Sequence, residues 1–271
     1  MRKSALLASI ESRRPVIGCA HLVRDESVSE TLRGAALDFL LIDMQHIAIT
    51  IETLQRVLSA LQPTDLAVLV RTLSNDPAVI GQVLDAGANG VIIPMINSAQ
   101  DAAQAVAAAK FPPEGTRSWG PRRAAPLFGG VAQFAQDANE SAIVFTQIET
   151  TEAIKNLDAI LSVPGLTGVL IGPADIAIAV GCMEVETRND PVVLETIQGV
   201  LDRCLELDVP FGIIAPTIDS AVHWLERGAL VVSCSADTAI IAQGVSQVSS
   251  TLESVRVGRR NKSSSDTAKS S

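Results

Sequence analysis

Tyrosine is absent from this chain, and its other aromatics amount to six phenylalanines and two tryptophans. So sparse a set excludes a surface that reads bases or sugars chiefly by stacking. Basic residues are outnumbered by acidic ones, 21 against 30, for a formal charge of −9. A phosphate-binding face needs the opposite balance, so nucleic acid is not an expected partner. Lysine is scarce as well. Lys3, Lys110, Lys155, Lys262 and Lys269 all fall outside the apolar runs, which disfavours a Schiff base on a lysine inside a pocket. No GxSxG elbow offers a serine nucleophile, and no GxGxxG or GxxxxGK[ST] loop offers a phosphate cradle. The four cysteines, Cys19, Cys182, Cys204 and Cys234, make no CxxC pair and suit small core positions in a reducing cytosol. No apolar run approaches the ~20 residues of a membrane span. The opening segment, Met1–Ile10, is cut by Glu11, Arg13 and Arg14, too early for a signal core of roughly 7–15 residues. It reads as an amphipathic first helix, and the protein as cytoplasmic.

What the chain does have is apolar residues, 47% of 271, in a regular alternation of two kinds of segment. Short continuous runs at Val16–Leu22, Asp38–Asp43, Ala67–Arg71, Gly90–Met95, Ala142–Glu149, Gly168–Gly172, Val209–Ile214 and Ala229–Cys234 read as strands buried on both faces. Between them lie Ala- and Leu-rich helical patterns such as Thr50–Leu61, Ala99–Lys110 and Pro191–Leu207. Eight strands with crossover helices predict an α/β fold, a single (β/α)8 TIM barrel, for which about 250 residues suffice. A doubly wound sheet is the alternative. Two connections, Phe111–Ala138 and Ile176–Asp190, exceed what a βα unit needs and point to function or assembly. An extra helix from about Thr238 to Val257 ends the domain (1–257), and the polar tail 258–271 is expected to be disordered.

In such a barrel the carboxyl ends of the strands share one rim. The second run ends in Asp43-Met-Gln-His46, the third in Arg71, the fifth in Gln147-Ile-Glu149-Thr150 and the sixth in Gly172-Pro173-Ala174-Asp175. Glu149 and Asp175 close neighbouring strands. Two adjacent carboxylates suit a hard divalent ion that keeps several waters; alternatively Asp175 caps the next helix, or the two form an acid/base pair without metal. His46, just past a buried strand, is either a proton carrier or an ordinary hydrogen-bonded polar residue. Arg71 is either an oxyanion partner or half of a rim ion pair. His21, at the end of the first strand, is a candidate pocket-lining residue, and His223 beside Trp224 is structural.

Seven segments carry a resemblance: Leu41-Ile-Asp-Met-Gln-His46, Val70-Arg71, Leu84-Asp-Ala-Gly-Ala88, Ile93-Pro-Met95, Pro112-Pro-Glu-Gly-Thr-Arg117, Gln147-Ile-Glu-Thr150 and Ile171-Gly-Pro-Ala-Asp175. Through them the chain, from about Val16 to Val257, resembles the HpcH/HpaI family of class II, metal-dependent pyruvate aldolases. The resemblance implies that Glu149 and Asp175 bind Mg2+, Mn2+ or Co2+, which chelates pyruvate. It implies that Gln147 touches substrate and that the backbone of Gly172, Pro173, Ala174 and Asp175 holds its carboxylate. His46 becomes the general base on the C4 hydroxyl, Asp85 raises its basicity, Asp43 orients it, and Arg71 stabilises the enolate. A homohexamer with a last helix exchanged between subunits is implied too. Gln45 and Ile47 stand where the family often has Glu and Gly, and Ile-Ala follows Asp175 in place of Leu-Ser; these departures point to an altered aldehyde preference. Arg117, Arg122 and Arg123 either grip an acidic aldehyde at a neighbour's site or serve a subunit interface. The expected reaction is reversible cleavage of a 4-hydroxy-2-oxo acid to pyruvate and an aldehyde. Alternatives on the same site are oxaloacetate decarboxylation, macrophomate-synthase-like condensation and CoA-ester lysis.

Overall fold

The computed structural model describes residues 4–182 and 189–267, with side chains of the last helix described as far as Arg256. Eight parallel strands follow one another around a closed barrel, the last paired with the first. They are β1 (Val16–His21), β2 (Phe39–Asp43), β3 (Ala67–Arg71), β4 (Gly90–Ile93), β5 (Ile143–Gln147), β6 (Gly168–Ile171), β7 (Phe211–Ala215) and β8 (Val231–Ala236). The barrel expected from the sequence is the fold observed. No described helix is long and apolar enough to cross a membrane.

Alternation within each run builds two cores. Phe39, Leu41, Leu69, Ile92, Phe145 and Leu170 point into the barrel, while Leu40, Ile42, Val68, Val70 and Val91 face the surrounding helices. At Gly18 the bare backbone is required, because a Cβ there would lie 2.5 Å from the Phe39 ring. The N-terminal mouth is plugged by α1 (Ala5–Glu11), which sends Leu6, Leu7 and Ile10 into the inner core. Ser4 starts that helix by accepting the Leu7 amide at 3.2 Å.

The remaining helices are α2 (Glu26–Leu32), α3 (Ile51–Ala60), α4 (Pro77–Asp85), α5 (Ala99–Ala109), α6 (Ala124–Leu127), α7 (Val131–Ser141), α8 (Thr151–Lys155), α9 (Leu157–Leu161), α10 (Pro173–Ala179), α11 (Pro191–Glu206), α12 (Ile218–Glu226) and α13 (Asp237–Thr267), those that cross from one strand to the next running back antiparallel to the strands. Thr50, Asp76, Ser98, Thr150, Asp190 and Thr217 each cap a helix with a side-chain oxygen. The long connection from Phe111 holds α6 and α7, and that from Ile176 begins inside α10; the rest of the latter includes positions 183–188, outside the described residues.

One difference from expectation concerns the chain's end. The polar segment after Val257 continues as helix to Thr267, since nothing there breaks the register: it contains one glycine and no proline. Positions 268–271 lie outside the described residues. Beyond its first turns α13 extends away from the barrel. Its apolar residues Ile241, Val245, Val248, Leu252 and Val255 recur at four- and three-residue steps and are half exposed or more. Beside its first turns an apolar groove of about 740 Å³ stays open over β1 and β8, lined by Ile17, Cys19, Leu32, Ile218, Cys234 and Ile240.

Candidate active site

Asp43 and Arg71 end adjacent strands in register. Arg71 donates from Nε to Asp43 Oδ1 at 3.0 Å and from Nη2 to Asp43 Oδ2 at 2.6 Å, a two-pronged bond that fixes the guanidinium plane. Both residues are buried, at 8% and 4% exposure. Asp43 Oδ1 also accepts the backbone N–H groups of Gln45 (2.9 Å) and His46 (3.3 Å). Burial alone would raise the Asp43 pKa; the bond and charge of Arg71, with those two amides, hold it below the ordinary aspartate value. One carboxylate thus sets both Arg71 and the turn that carries His46. His46 itself is exposed on the rim.

Gln147, at the end of β5, links this pair to the second one. Its Oε1 accepts Arg71 Nη1 at 3.5 Å, and its Nε2 donates to Glu149 Oε2 at 2.6 Å and to Asp175 Oδ2 at 3.3 Å. Carboxylates from neighbouring strand ends therefore meet on one amide. Glu149 Oε1 accepts the Met95 N–H at 2.5 Å. Burial, and then the charge of Asp175, push the Glu149 pKa above its usual value, against the Met95 amide and Arg71. Gly172 is the N-cap of α10, with no side chain to cap it, and Pro173 opens the helix. A Cβ on Gly172 would collide with Asp175 Oδ2, so the glycine leaves room for that carboxylate to turn back onto Gln147. Asp175 lies in the first turn rather than at the cap, and Ala174 lies just ahead of it.

Asp43, Arg71, Gln147, Glu149, Gly172 and Asp175 are thus brought together, with His46 above them. Two expectations, for Asp85 and His21, need correction. Asp85, at the C-terminal end of α4, lies at the opposite face of the barrel from His46, because α4 runs antiparallel to the strands. There it accepts Arg117 Nη2 at 2.5 Å. Arg117, stacked 4.6 Å over Phe111, and Arg123, which donates Nε to the Ala86 carbonyl at 2.8 Å, belong to that far face. His21 lines no pocket: it is buried, with Nδ1 2.7 Å from Asp237 Oδ2 and Nε2 2.7 Å from Ser29 Oγ. Met95 was missed as a site residue. Its left-handed φ of 57°, unusual for a side-chain-bearing residue, has no signature in the sequence.

Among the described residues no cluster of three or more His, Cys, Asp and Glu side chains is placed to hold an ion. The donors here are two carboxylates. They fit a hard dication that completes its shell with water and substrate oxygens, and both already converge on the Gln147 amide.

A family model described as HpcH/HpaI aldolase/citrate lyase matches residues 21–243. The chain belongs to this family. The HpcH/HpaI chain is 31% identical over 246 residues to a 5-keto-4-deoxy-D-glucarate aldolase of Escherichia coli, covering 91% of this chain and 95% of that one. Its fold matches a solved HpcH/HpaI aldolase/citrate lyase family protein of Burkholderia cenocepacia with a TM-score of 0.86 at 28% identity, over 93% and 99% of the two chains. An HpcH/HpaI aldolase of Desulfitobacterium hafniense matches with a TM-score of 0.82 at 27% identity, over 91% and 95%. As a member of this aldolase and lyase family, the protein is a carbon–carbon lyase acting on small molecules.

Proposed function

We propose that the protein reversibly cleaves a 4-hydroxy-2-oxo acid into pyruvate, or a close 2-oxo acid, and an aldehyde, in a divalent-metal-dependent reaction. The observation that carries this reading is the meeting of Glu149 and Asp175 on the Gln147 amide, one hydrogen bond from Arg71. A Mg2+, Mn2+ or Co2+ ion held by the two carboxylates supplies Lewis acidity toward the 2-oxo group. Gln147 orients the oxo acid, and the turn Gly172-Pro173-Ala174-Asp175, free of bulky side chains ahead of Asp175, admits its carboxylate. His46 takes the proton of the C4 hydroxyl as the C3–C4 bond breaks and its electron pair passes to C3. Arg71, locked by Asp43, faces the oxygen on which the enolate charge gathers. Asp85 of the same chain lies at the far face of the barrel, bonded to Arg117.

The working form is a cytosolic oligomer, six copies by resemblance, in which α13 of one copy fills the open groove of another. The unpartnered stripe on α13 and the groove beside its root support this exchange. Cys19 and Cys204 are free thiols, and burial pushes the Cys19 pKa up to about 11 and that of Cys204 to about 12, so neither is poised as a nucleophile.

Proton NMR of pyruvate in D2O tests the function without knowledge of the aldehyde. Loss of the methyl signal with Mg2+ or Mn2+, and its persistence with excess chelator, is expected. Persistence under every metal overturns the reading.

A further inference from the structure

Glu149 is gripped on both oxygens, Oε2 by the Gln147 amide at 2.6 Å and Oε1 by the Met95 N–H at 2.5 Å. The second grip comes from a strained residue. Met95 holds φ at 57°, a conformation that a residue with a side chain keeps only where its surroundings over-determine it.

What holds Met95 in turn is Asn97. Its Nδ2 donates to the Met95 carbonyl at 3.4 Å, and its Oδ1 accepts the Thr150 hydroxyl. One planar amide thus ties the turn after β4, which binds Glu149 Oε1, to the turn after β5, which carries Glu149 itself. The bonds close a ring: Met95 N–H to Glu149, the chain from Glu149 to Thr150, the Thr150 hydroxyl to Asn97, and Asn97 back to Met95. Asn97 is itself pinned. Its carbonyl accepts Asn156 Nδ2 at 2.8 Å, and its N–H donates to Asp101 Oδ2 at 3.2 Å. Neither neighbouring helix needs the Asn97 side chain for its start, because Ser98 caps α5 and Thr150 caps α8. What that side chain adds is the tie between the two turns.

Resting on the metal-dependent reading above, we infer that Asn97 is a positioning residue for the divalent ion: through Met95 and Thr150 it fixes the Glu149 carboxylate, and so sets how tightly and how selectively the site takes an ion. Mg2+ demands near-ideal geometry at short distances, whereas Ca2+ accepts longer and less regular shells. A carboxylate fixed at both oxygens favours the smaller ion, and a loosened one lets Ca2+ compete.

Electron paramagnetic resonance, which counts free Mn2+, tests this in titrations of the full chain without substrate. Displacement of bound Mn2+ by Mg2+ and by Ca2+ then gives the affinities of those two ions. Wild type is compared with Asn97→Ala, Thr150→Val and Thr150→Ser. Asn97→Ala is expected to weaken Mg2+ binding about tenfold, the low end of what losing a group that orients a ligand costs. Ca2+ should weaken less, so the preference for Mg2+ shrinks by about fivefold. Thr150→Val should behave like Asn97→Ala, and Thr150→Ser, which keeps the hydroxyl, like wild type. The ratio of two affinities within one protein is insensitive to loss of folded chain. Unchanged Mg2+ affinity in Asn97→Ala, or equal weakening of Mg2+ and Ca2+, overturns the positioning role while the metal-dependent reading stands. Thr150→Ser as weak as Thr150→Val overturns the ring. Absence of Mn2+ binding to wild type removes the metal-dependent reading, and this inference with it.

Discussion

Replacing Asp43 by Asn tests the rim most directly. The Asn carbonyl can still accept the Gln45 and His46 amides, so the turn survives, but its NH2 group now faces Arg71 Nη2 in place of an oxygen 2.6 Å away. Arg71 is left buried with its main counter-charge gone. Breaking a buried pair this way costs about 3–5 kcal/mol, and the nearby Glu149 charge puts the loss at the low end, about 3 kcal/mol. For a chain of this size that is roughly 6–12 °C in Tm. Arg71 also loses its fixed plane, so kcat/KM for cleavage should fall by about a hundredfold, the scale of one lost oxyanion donor. Chemical denaturation of wild type, Asp43→Asn and Asp43→Asn/Arg71→Met in chelator gives the stability values. The double variant should recover half or more of the loss, because it removes the stranded charge. A loss below about 1 kcal/mol in the single variant, or no recovery in the double, would refute the argument that this pair organises the rim.

Three further outcomes follow from the same geometry. Glu149→Gln should abolish metal-dependent methyl exchange of pyruvate while raising the Tm of chelator-treated protein, since burial and Asp175 both disfavour the charged Glu149; a lower Tm contradicts that electrostatic account. His46→Ala should slow aldol cleavage by about a hundredfold or more and methyl exchange by much less; equal losses would give His46 a part in enolisation. Asp237, held below the usual aspartate range by His21 and the Val23 and Leu22 amides despite its burial, contributes stability that is complete above the unfolded aspartate pKa of about 3.9. That contribution is lost as pH falls through the lower folded value, so acid titration of Asp237→Asn should show a shallower fall than wild type below about pH 4.

The barrel was legible because a strand buried on both faces has an unmistakable composition. The run Ala67–Arg71 matches β3 end to end, its stop marked by the one charge in it. Runs ending in Met95 and Glu149 overshot β4 and β5 because side chains remain buried or bonded past the last ladder hydrogen bond. The helices α6 and α7 were hidden by the prolines and by Gly129 and Gly130, which carry left-handed φ values around the start of α7. The rim residues could be found because each terminates an apolar run. Asp85 could not be placed that way: its motif is plain in the sequence, but which face of the barrel it occupies depends on the direction of α4. The partnership of His21 with Asp237 joins opposite ends of the chain, and no local pattern announces such a pair.

The seam of the barrel sets a schedule for the nascent chain. Val16 pairs with Val231, so β1 leaves the ribosome long before the strand that completes it. At about 5–20 residues per second the wait is roughly 10–40 s. Throughout it the edge of β1 is unpaired, and Leu6, Leu7 and Ile10 have no finished interior to enter. Growth conditions that slow translation should therefore lengthen the period in which this chain depends on chaperones.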